Sequence, residues 1–449
     1  MTRRRTVRCC MNPEPRETSQ PGISPAGVAP LAPMRGPGKH RTARAVAVVA
    51  LLGGVACEPK AERVTPPLRP SASAIAAARA GSAARPPLPP LSASAPPPRT
   101  APPLRVIEEL GDAGLELVSV GPAAEIGPAG PATATPDGVV LLTKDERLLL
   151  ARATAGKFAP VGEPAGSLAA LGRGPAVAGG RAYWISGGRL VRAPLSGGAS
   201  EMLAEGARHG SRVAALLHRN ATVVAYVTKP DAEGTARAKL WVEGGRSHDL
   251  TPDGAGASSV ALAETQDGVL AVSIDGRSGM TPVHVRRVRL SGRDATFTPD
   301  VVSWVAGPAQ TFTEIFAGFD DRGGWAFLPI ERDATHFGLA SIELGNEPAM
   351  DAPVEFLDYP NGLNLAPVAA STLCGRTFVA LVRPKQADPG SPQELVLAEA
   401  GSGARATVAD ALGFASVSLS SAPSGGTIAY VADRKTFAHP LTCRRTGAR

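Results

Sequence analysis

Histidine and cysteine are the side chains that most often bind metals or act as catalytic bases and nucleophiles. After residue 100 the histidines contain no H-x-x-x-H or H-E-x-x-H pair: His209, His218, His248, His284, His336 and His439. The same part of the chain has two cysteines, Cys374 and Cys443, and no C-x-x-C pair. The sequence therefore predicts no metal site and no cofactor.

The motifs that present a nucleophile or bind a phosphate are missing from the sequence. It contains no G-x-S-x-G elbow, no G-x-x-x-x-G-K-[ST] loop and no G-x-G-x-x-G after a strand. A glycosidase needs two carboxylates that converge on one bond, and a sequence cannot show convergence. We therefore predict no catalytic residue and keep an enzyme acting on glycans, a hydrolase or lyase, as the alternative to a binding protein.

The net charge of +7 comes from the N terminus. Residues 1–44 hold nine Lys and Arg residues and two Glu residues, which is 9 − 2 = +7, so residues 45–449 are formally neutral. Nucleic-acid binding needs basic side chains clustered on a folded face. The charge distribution excludes a nucleic-acid partner for the folded part.

Residues 34–57 have the order of an export signal. Arg35, Lys39, Arg41 and Arg44 precede an apolar run over 45–56, which has 12 residues and is too short for a bilayer span of about 20. The end of the run and the residue after it read Gly54-Val55-Ala56-Cys57, which resembles the lipobox of bacterial lipoproteins. The resemblance implies a signal peptide over 34–56 and a lipid on Cys57. Ordinary cleavage after Ala56 and a chance apolar run are the alternatives.

The segments on either side of the signal have compositions that do not support a core. Residues 1–33 are rich in proline, and we predict that they are a non-native or disordered leader, with Met34 as the start. Residues 57–104 are mostly Pro, Ala, Ser and Arg, and we predict a disordered tether behind Cys57. At about 3.1 Å per residue in polyproline II form it would reach up to roughly 140 Å.

Beyond residue 104, short apolar runs recur after turn signals such as Asp-Gly and Gly-Gly. The seven runs are 139–142, 182–185, 223–227, 269–272, 325–328, 378–382 and 428–431. From Val139 to Thr427 the interval is 288 residues over six steps, or 48 per repeat. This period is close to that of propeller blades.

Most of these runs have a shorter apolar segment on each side, as in an antiparallel meander. We therefore predict an all-β fold over 105–445, a β-propeller of seven blades, with residues 115–120 supplying a strand that closes the ring. We expect the downstream strands, which alternate more strictly, to be outer and half-solvated. A pair of β-sandwiches or an irregular β protein is the alternative.

Two segments resemble repeats of the TolB-type propeller group. They are Leu240-Trp241-Val242 followed by Leu250-Thr251-Pro252-Asp253-Gly254, and Ile428-Ala429-Tyr430-Val431-Ala432-Asp433-Arg434. The family's P-x-W-S-P-D-G turn is missing, and the resemblance covers two or three of seven repeats. It implies an envelope scaffold that binds other proteins across a propeller face.

Export leads to an oxidising compartment, where two cysteines in one domain tend to pair. Cys374 lies just before the central strand of repeat six, and Cys443 lies in the closing strand of repeat seven. We predict a disulfide between Cys374 and Cys443. Two independent thiols are the alternative.

The connections between second and third strands lengthen in repeats three to six, over 229–238, 275–282, 331–336 and 384–393. Insertions in a repeat array usually map to its binding side. We therefore predict that another envelope protein or a cell-surface polymer docks on this face. The predicted rim contacts are Lys229, Asp231, Arg277, Glu331, Arg332, Lys385 and Asp388. Loops that merely tolerate insertion are the alternative.

Overall fold

The computed structural model describes residues 104–107, 110–111, 114–142, 147–154, 156–160, 173–275, 282–305, 311–312, 314–331, 336–360, 368–386 and 390–444. The regular elements in these ranges are thirty-two β-strands in seven sheets, which confirms the predicted seven-bladed, all-β propeller. Within the same ranges, no helix has the length and hydropathy needed to cross a membrane. The predicted leader, signal peptide, Cys57 and tether up to residue 103 lie outside the described residues.

Three N-terminal strands precede the repeats: β1 (Leu104–Ile107), β2 (Val118–Val120) and β3 (Ala124–Pro128). Blade 1 is formed by β4 (Ala132–Thr135), β5 (Gly138–Leu142), β6 (Leu148–Thr154) and β7 (Lys157–Phe158). Blade 2 is formed by β8 (Ala176–Ala178), β9 (Arg181–Ser186), β10 (Arg189–Pro194) and β11 (Glu201–Glu205). Blade 3 is formed by β12 (Ala214–His218), β13 (Ala221–Val227), β14 (Ala238–Val242) and β15 (Ser247–Asp249). Blade 4 is formed by β16 (Ser259–Thr265), β17 (Gly268–Ile274), β18 (Pro282–Ser291) and β19 (Asp294–Phe297), with β20 (Val301–Val305) also on β18.

Blade 5 contains β21 (Thr311–Phe312), β22 (Phe316–Asp320), β23 (Gly323–Glu331), β24 (His336–Gly345) and β25 (Val354–Pro360). Blade 6 contains β26 (Val368–Leu373), β27 (Arg376–Pro384), β28 (Gln393–Glu399) and β29 (Arg405–Ala411). Blade 7 contains β30 (Phe414–Ala422), β31 (Gly425–Ala432) and β32 (Lys435–Cys443). The innermost strands β4, β8, β12, β16, β22, β26 and β30 contact one another in that order, and β30 contacts β4, so the ring is closed.

The second strand of each blade corresponds to the apolar runs in the sequence. All residues of β5 and β17 are buried, because both faces of a middle strand pack against neighbouring blades. The third strands β14 and β28 are also largely buried, so the expectation of half-solvated outer strands was wrong there. A further strand covers each third strand; it has two residues in β7 and three in β15 but seven in β25 and β29.

The N-terminal strands complete the ring. β2 and β3 pair antiparallel with β32, with Val118 opposite Cys443 and Ala124 opposite Ala438, as predicted for the segment around residues 115–120. β1 pairs parallel with β25 of blade 5, and Gly114 bridges to Arg405 of blade 6. β1, Gly114 and β2 therefore lie at the outer edges of blades 5, 6 and 7, in that order.

Side-chain hydroxyls join the inner strands of adjacent blades. Thr133 of blade 1 donates to the Pro175 carbonyl before β8 at 2.6 Å, and Ser418 of blade 7 accepts from the Ala134 amide at 3.0 Å. Buried backbone groups need a partner wherever no strand pairing supplies one. These hydroxyls satisfy backbone groups where the blades meet.

The turn between β22 and β23 ties blade 5 to blade 6. The fully buried Asp320 carboxylate accepts from the Thr377 amide and the Arg322 guanidinium, both at 2.8 Å. Burial alone would raise the pKa of Asp320, but the hydrogen bonds from Arg322 and Thr377 outweigh it and hold the pKa below its usual value. Asp320 is thus an ionised link between two blades.

Cys374 and Cys443 form a disulfide with a Cα–Cα distance of 5.5 Å. Cys374 lies in the turn after β26, where its φ of 53° is left-handed. Cys443 is the last residue of β32, opposite Val118 of β2. The bond therefore joins blade 6 to the place where the N-terminal strand closes blade 7.

Candidate functional site

The described part of the propeller has a central channel of about 1690 Å³. Residues on or just before the innermost strands of all seven blades line it, and many are Ala, Gly, Ser or Thr, as in Ala132–Thr135 and Ala415–Ser418. Small side chains on the inner strands leave the space open. The channel is large enough for a small molecule or an extended chain.

The two ends of the channel follow from the strand order. In each blade the first strand runs from the face that carries the blade-to-blade connections to the opposite face. The face with the blade-to-blade connections is called the top face, and it also carries the connections between second and third strands. The other is the bottom face. Residues just before β8, β12 and β22 lie at the top, and the turns between first and second strands lie at the bottom.

Three described acids line the channel, on three different blades. Glu314 lies at the top of blade 5, and Asp137 and Glu264 lie at the bottom of blades 1 and 4. A strand of five to seven residues is roughly 17–23 Å long, so Glu264 and Glu314 lie at opposite ends although their blades are adjacent. Glycosidase carboxylates lie about 5 to 10 Å apart. Neighbouring blades in the described ranges offer no such pair at one end.

Two arginines and one glutamate are grouped at the top of the channel. Arg173, just before β8, is ion-paired with Glu314 and donates to the Gly210 carbonyl at 2.9 Å. The Arg212 guanidinium lies over the Phe316 ring, with its Cζ 4.1 Å from the ring centroid. Burial lowers the pKa of Arg212, Glu314 partly offsets this, and Arg173 lowers it further. The described side chains of this group therefore carry a net positive charge.

The lower half of the channel has an apolar side. Leu217 is 45% exposed at the end of β12, and Leu262 of β16 and Phe319 of β22 are partly buried on the neighbouring blades. The channel thus changes from charged at the top to apolar on one wall below.

The top face carries the loops that we predicted to bind a partner. The connections span 228–237, 275–281 and 385–392 in blades 3, 4 and 6, but only 187–188 in blade 2 and 433–434 in blade 7. The connection of blade 5, at 332–335, is shorter than expected, because β23 and β24 extend farther. The connection of blade 1 spans 143–147. The longest loops are therefore those of blades 3, 4 and 6.

The predicted contact residues differ in whether their side chains are held by hydrogen bonds or ion pairs within the protein. Lys229 is exposed, whereas the Asp231 carboxylate accepts from the Glu233 and Thr235 amides of its own loop at 2.9 Å. Lys385 is ion-paired with Asp410 at 2.6 Å. Asp231 therefore stabilises the conformation of its own loop. Of the two described cations in the set, Lys385 is ion-paired, and Lys229 has no ion pair with another described residue.

For the other four predicted contact residues the structure describes no side chain. Arg277, Arg332 and Asp388 lie outside the described residues. Glu331 is described as the last residue of β23, without its side chain.

Three histidines, His218, His284 and His439, are buried and take part in hydrogen bonds. His284 Nδ1 lies 2.6 Å from Asp300 Oδ2, and His218 Nδ1 lies 3.2 Å from Glu264 Oε1. The described residues bring together no group of three or more His, Cys, Asp or Glu side chains that could hold a metal. Arg173, Arg212 and Glu314 were not predicted from the sequence, because an isolated Arg or Glu before a short strand has no distinctive signal.

The sequence matches no protein-family model and no curated protein sequence. Among solved structures, the β-propeller domain of Cps50 (Swd1) from Myceliophteria thermophila is 12% identical, with a TM-score of 0.42, over 72% of this chain and 99% of that one. The Dos1 propeller is 11% identical, with a TM-score of 0.35, over 67% of each chain. The blade number of this chain follows from its own strand pairing.

Proposed function

We propose that this protein is a binding module of the cell envelope, exported and held on a tether, whose propeller engages another envelope protein or a surface polymer through its top face. One observation carries the proposal. Among the connections between second and third strands, the longest are those of blades 3, 4 and 6, and they open on the same face as the group of Arg173, Arg212 and Glu314 at the top of the channel. Loops on a rigid scaffold are common binding elements.

Export and lipid attachment at Cys57 are part of the same proposal. They rest on the order of basic residues, apolar run and small residues before Cys57. The segments that resemble TolB-type repeats lie in β14 and just after β15 of blade 3 and in β31 of blade 7, and they agree with an envelope role. A flexible tether would let the propeller reach a partner away from its anchor.

Photocrosslinking tests the docking face. A benzophenone amino acid at Lys229 or Lys385, on the top face, should give a discrete crosslinked adduct in intact cells. Asn220 and Gln266 are exposed in turns of the bottom face and provide matched control positions. Adducts of equal yield from the bottom positions, or none from the top positions, would contradict the proposal.

A further inference from the structure

Arg212 is a cation at the top of the channel. Its Nη1 is shielded from solvent and has no hydrogen-bond partner in the part of the chain that the structure describes. The guanidinium stacks on Phe316, a contact that orients it without neutralising its charge. A shielded donor with no acceptor costs free energy, which an oxygen of a bound ligand would recover.

Glu314, the acid that acts on this cation, is shared with a second arginine. Glu314 is ion-paired with Arg173, so the group contains two positive charges and one negative charge, 2 − 1 = +1. Arg173 is itself held by the Gly210 carbonyl. The unbalanced charge therefore belongs to Arg212.

The channel below Arg212 favours an uncharged chain. Leu217, Leu262 and Phe319 lie on one wall, toward the bottom of blades 3, 4 and 5. A ligand that places an anion at Arg212 would extend its remaining atoms along this wall. Guanidinium groups pair best with planar anions such as carboxylates, which accept two parallel hydrogen bonds.

We propose that the top of the channel binds the carboxylate of a ligand with an apolar chain, and that Arg212 is the residue that receives the carboxylate. The proposal rests on the binding function above and adds the chemistry of the ligand. A free aliphatic acid and the C terminus of a peptide share this chemistry.

Calorimetry with the purified protein tests the charge requirement and separates the two sources. The probes are decanoate against decanol, and an acetylated tetrapeptide of alanine and leucine with a free against an amidated C terminus. We expect the charged member of at least one pair to bind about tenfold or more tighter than its uncharged partner. The pair that shows the difference identifies the source. Equal affinity within both pairs, or no binding by any probe, would overturn the proposal.

Three variants assign the effect to Arg212. Arg212→Gln should weaken binding of the preferred probe about tenfold or more, because a charge-assisted hydrogen bond is lost. Glu314→Gln should strengthen it, because the carboxylate that acts on both Arg173 and Arg212 is removed. Arg219→Gln, at an exposed bottom-face turn, should leave it unchanged. Circular dichroism establishes that each variant is folded.

Unchanged affinity in a folded Arg212→Gln variant would overturn the proposal. Should Arg212→Gln not fold, Glu314→Gln decides, and unchanged or weaker binding there overturns it. Top-face crosslinks that persist while no carboxylate binds would remove this inference and leave the proposed docking face intact.

Discussion

His439 shows how a single buried side chain supports ring closure. It lies on β32, where its Nδ1 donates to the Gly121 carbonyl at 2.9 Å and its Nε2 lies 3.2 Å from the Tyr430 hydroxyl. Burial lowers the pKa of His439, although the Gly121 carbonyl partly opposes this. Burial also raises the pKa of Tyr430 to about 12. Both groups are therefore neutral at pH 7, with the hydroxyl donating to Nε2.

The lowered pKa of His439 predicts a loss of stability in mild acid. The unfolded chain takes up a proton on this histidine near pH 6.5, before the folded protein does. The free energy of unfolding should therefore be at its full value above pH 7 and fall below about pH 6.5, until the pH passes below the folded pKa. Urea unfolding of the wild type at pH 7.5 and 5.5 measures this fall.

His439→Asn is the matched variant, since its amide can still donate to the Gly121 carbonyl. Its stability should fall less than that of the wild type over the same pH range. His248, whose pKa is also lowered by burial, is present in both proteins and cancels from the comparison. An equal fall in the two proteins would show that His439 does not carry the effect.

At the scale of elements, closure joins strands from the two ends of the described chain. β2 and β3 provide the outer strand of blade 7, and Cys443 of β32 faces Val118 of β2. The disulfide from Cys443 to Cys374 fastens the same corner to blade 6 across a sequence separation of 69 residues. The strand pairing of β2 and β3 with β32 and the disulfide therefore stabilise the same corner of blade 7.

Removal of this disulfide should destabilise the propeller by about 4 kcal/mol, the chain-entropy value for a loop of this length. The Cys374→Ser, Cys443→Ser double variant should unfold at lower urea concentration than the oxidised wild type. Dithiothreitol should bring the wild type to the same midpoint and leave the variant unchanged. A wild-type midpoint that does not respond to the reductant would contradict a disulfide in solution.

The sequence predicted some elements better than others, for physical reasons. Second strands are buried on both faces and are continuous apolar runs, so all seven were located. Fourth strands such as Lys157–Phe158 and Ser247–Asp249 have only two or three residues and therefore no apolar run, and they were missed. The parallel strand β1 was missed as well, because only its pairing with β25 identifies it.

At the scale of the whole molecule, the ring brings together residues that are far apart in sequence. The Arg173–Glu314 ion pair joins blades 2 and 5 at the top of the channel, and the Ser418–Ala134 hydrogen bond joins blades 7 and 1. Periodicity predicts the blades but not which residues before each inner strand meet at the channel. The ring and its closure were therefore predictable, and the candidate site at Arg212 was not.

The described chain enters the ring at the bottom edge of blade 5. β25, the fourth strand of its blade, runs from the bottom face to the top face, and β1 is parallel to it. Leu104 is therefore at the bottom end of β1. The predicted tether joins the propeller at the edge opposite the loops of the proposed docking face.

The anchor at Cys57 is the last prediction, and it concerns the whole molecule. If Cys57 carries a lipid, the wild-type protein should incorporate labelled palmitate and sediment with membranes until detergent is added. Two signals normally give stable attachment, and a diacylated and N-acylated cysteine supplies more than one chain. Cys57→Ser should lose the label and move to the soluble fraction. Cys374→Ser is the control, because it removes a cysteine from the propeller and should leave the label in place. A Cys57→Ser protein that stays in the membrane fraction would show that another feature holds it there.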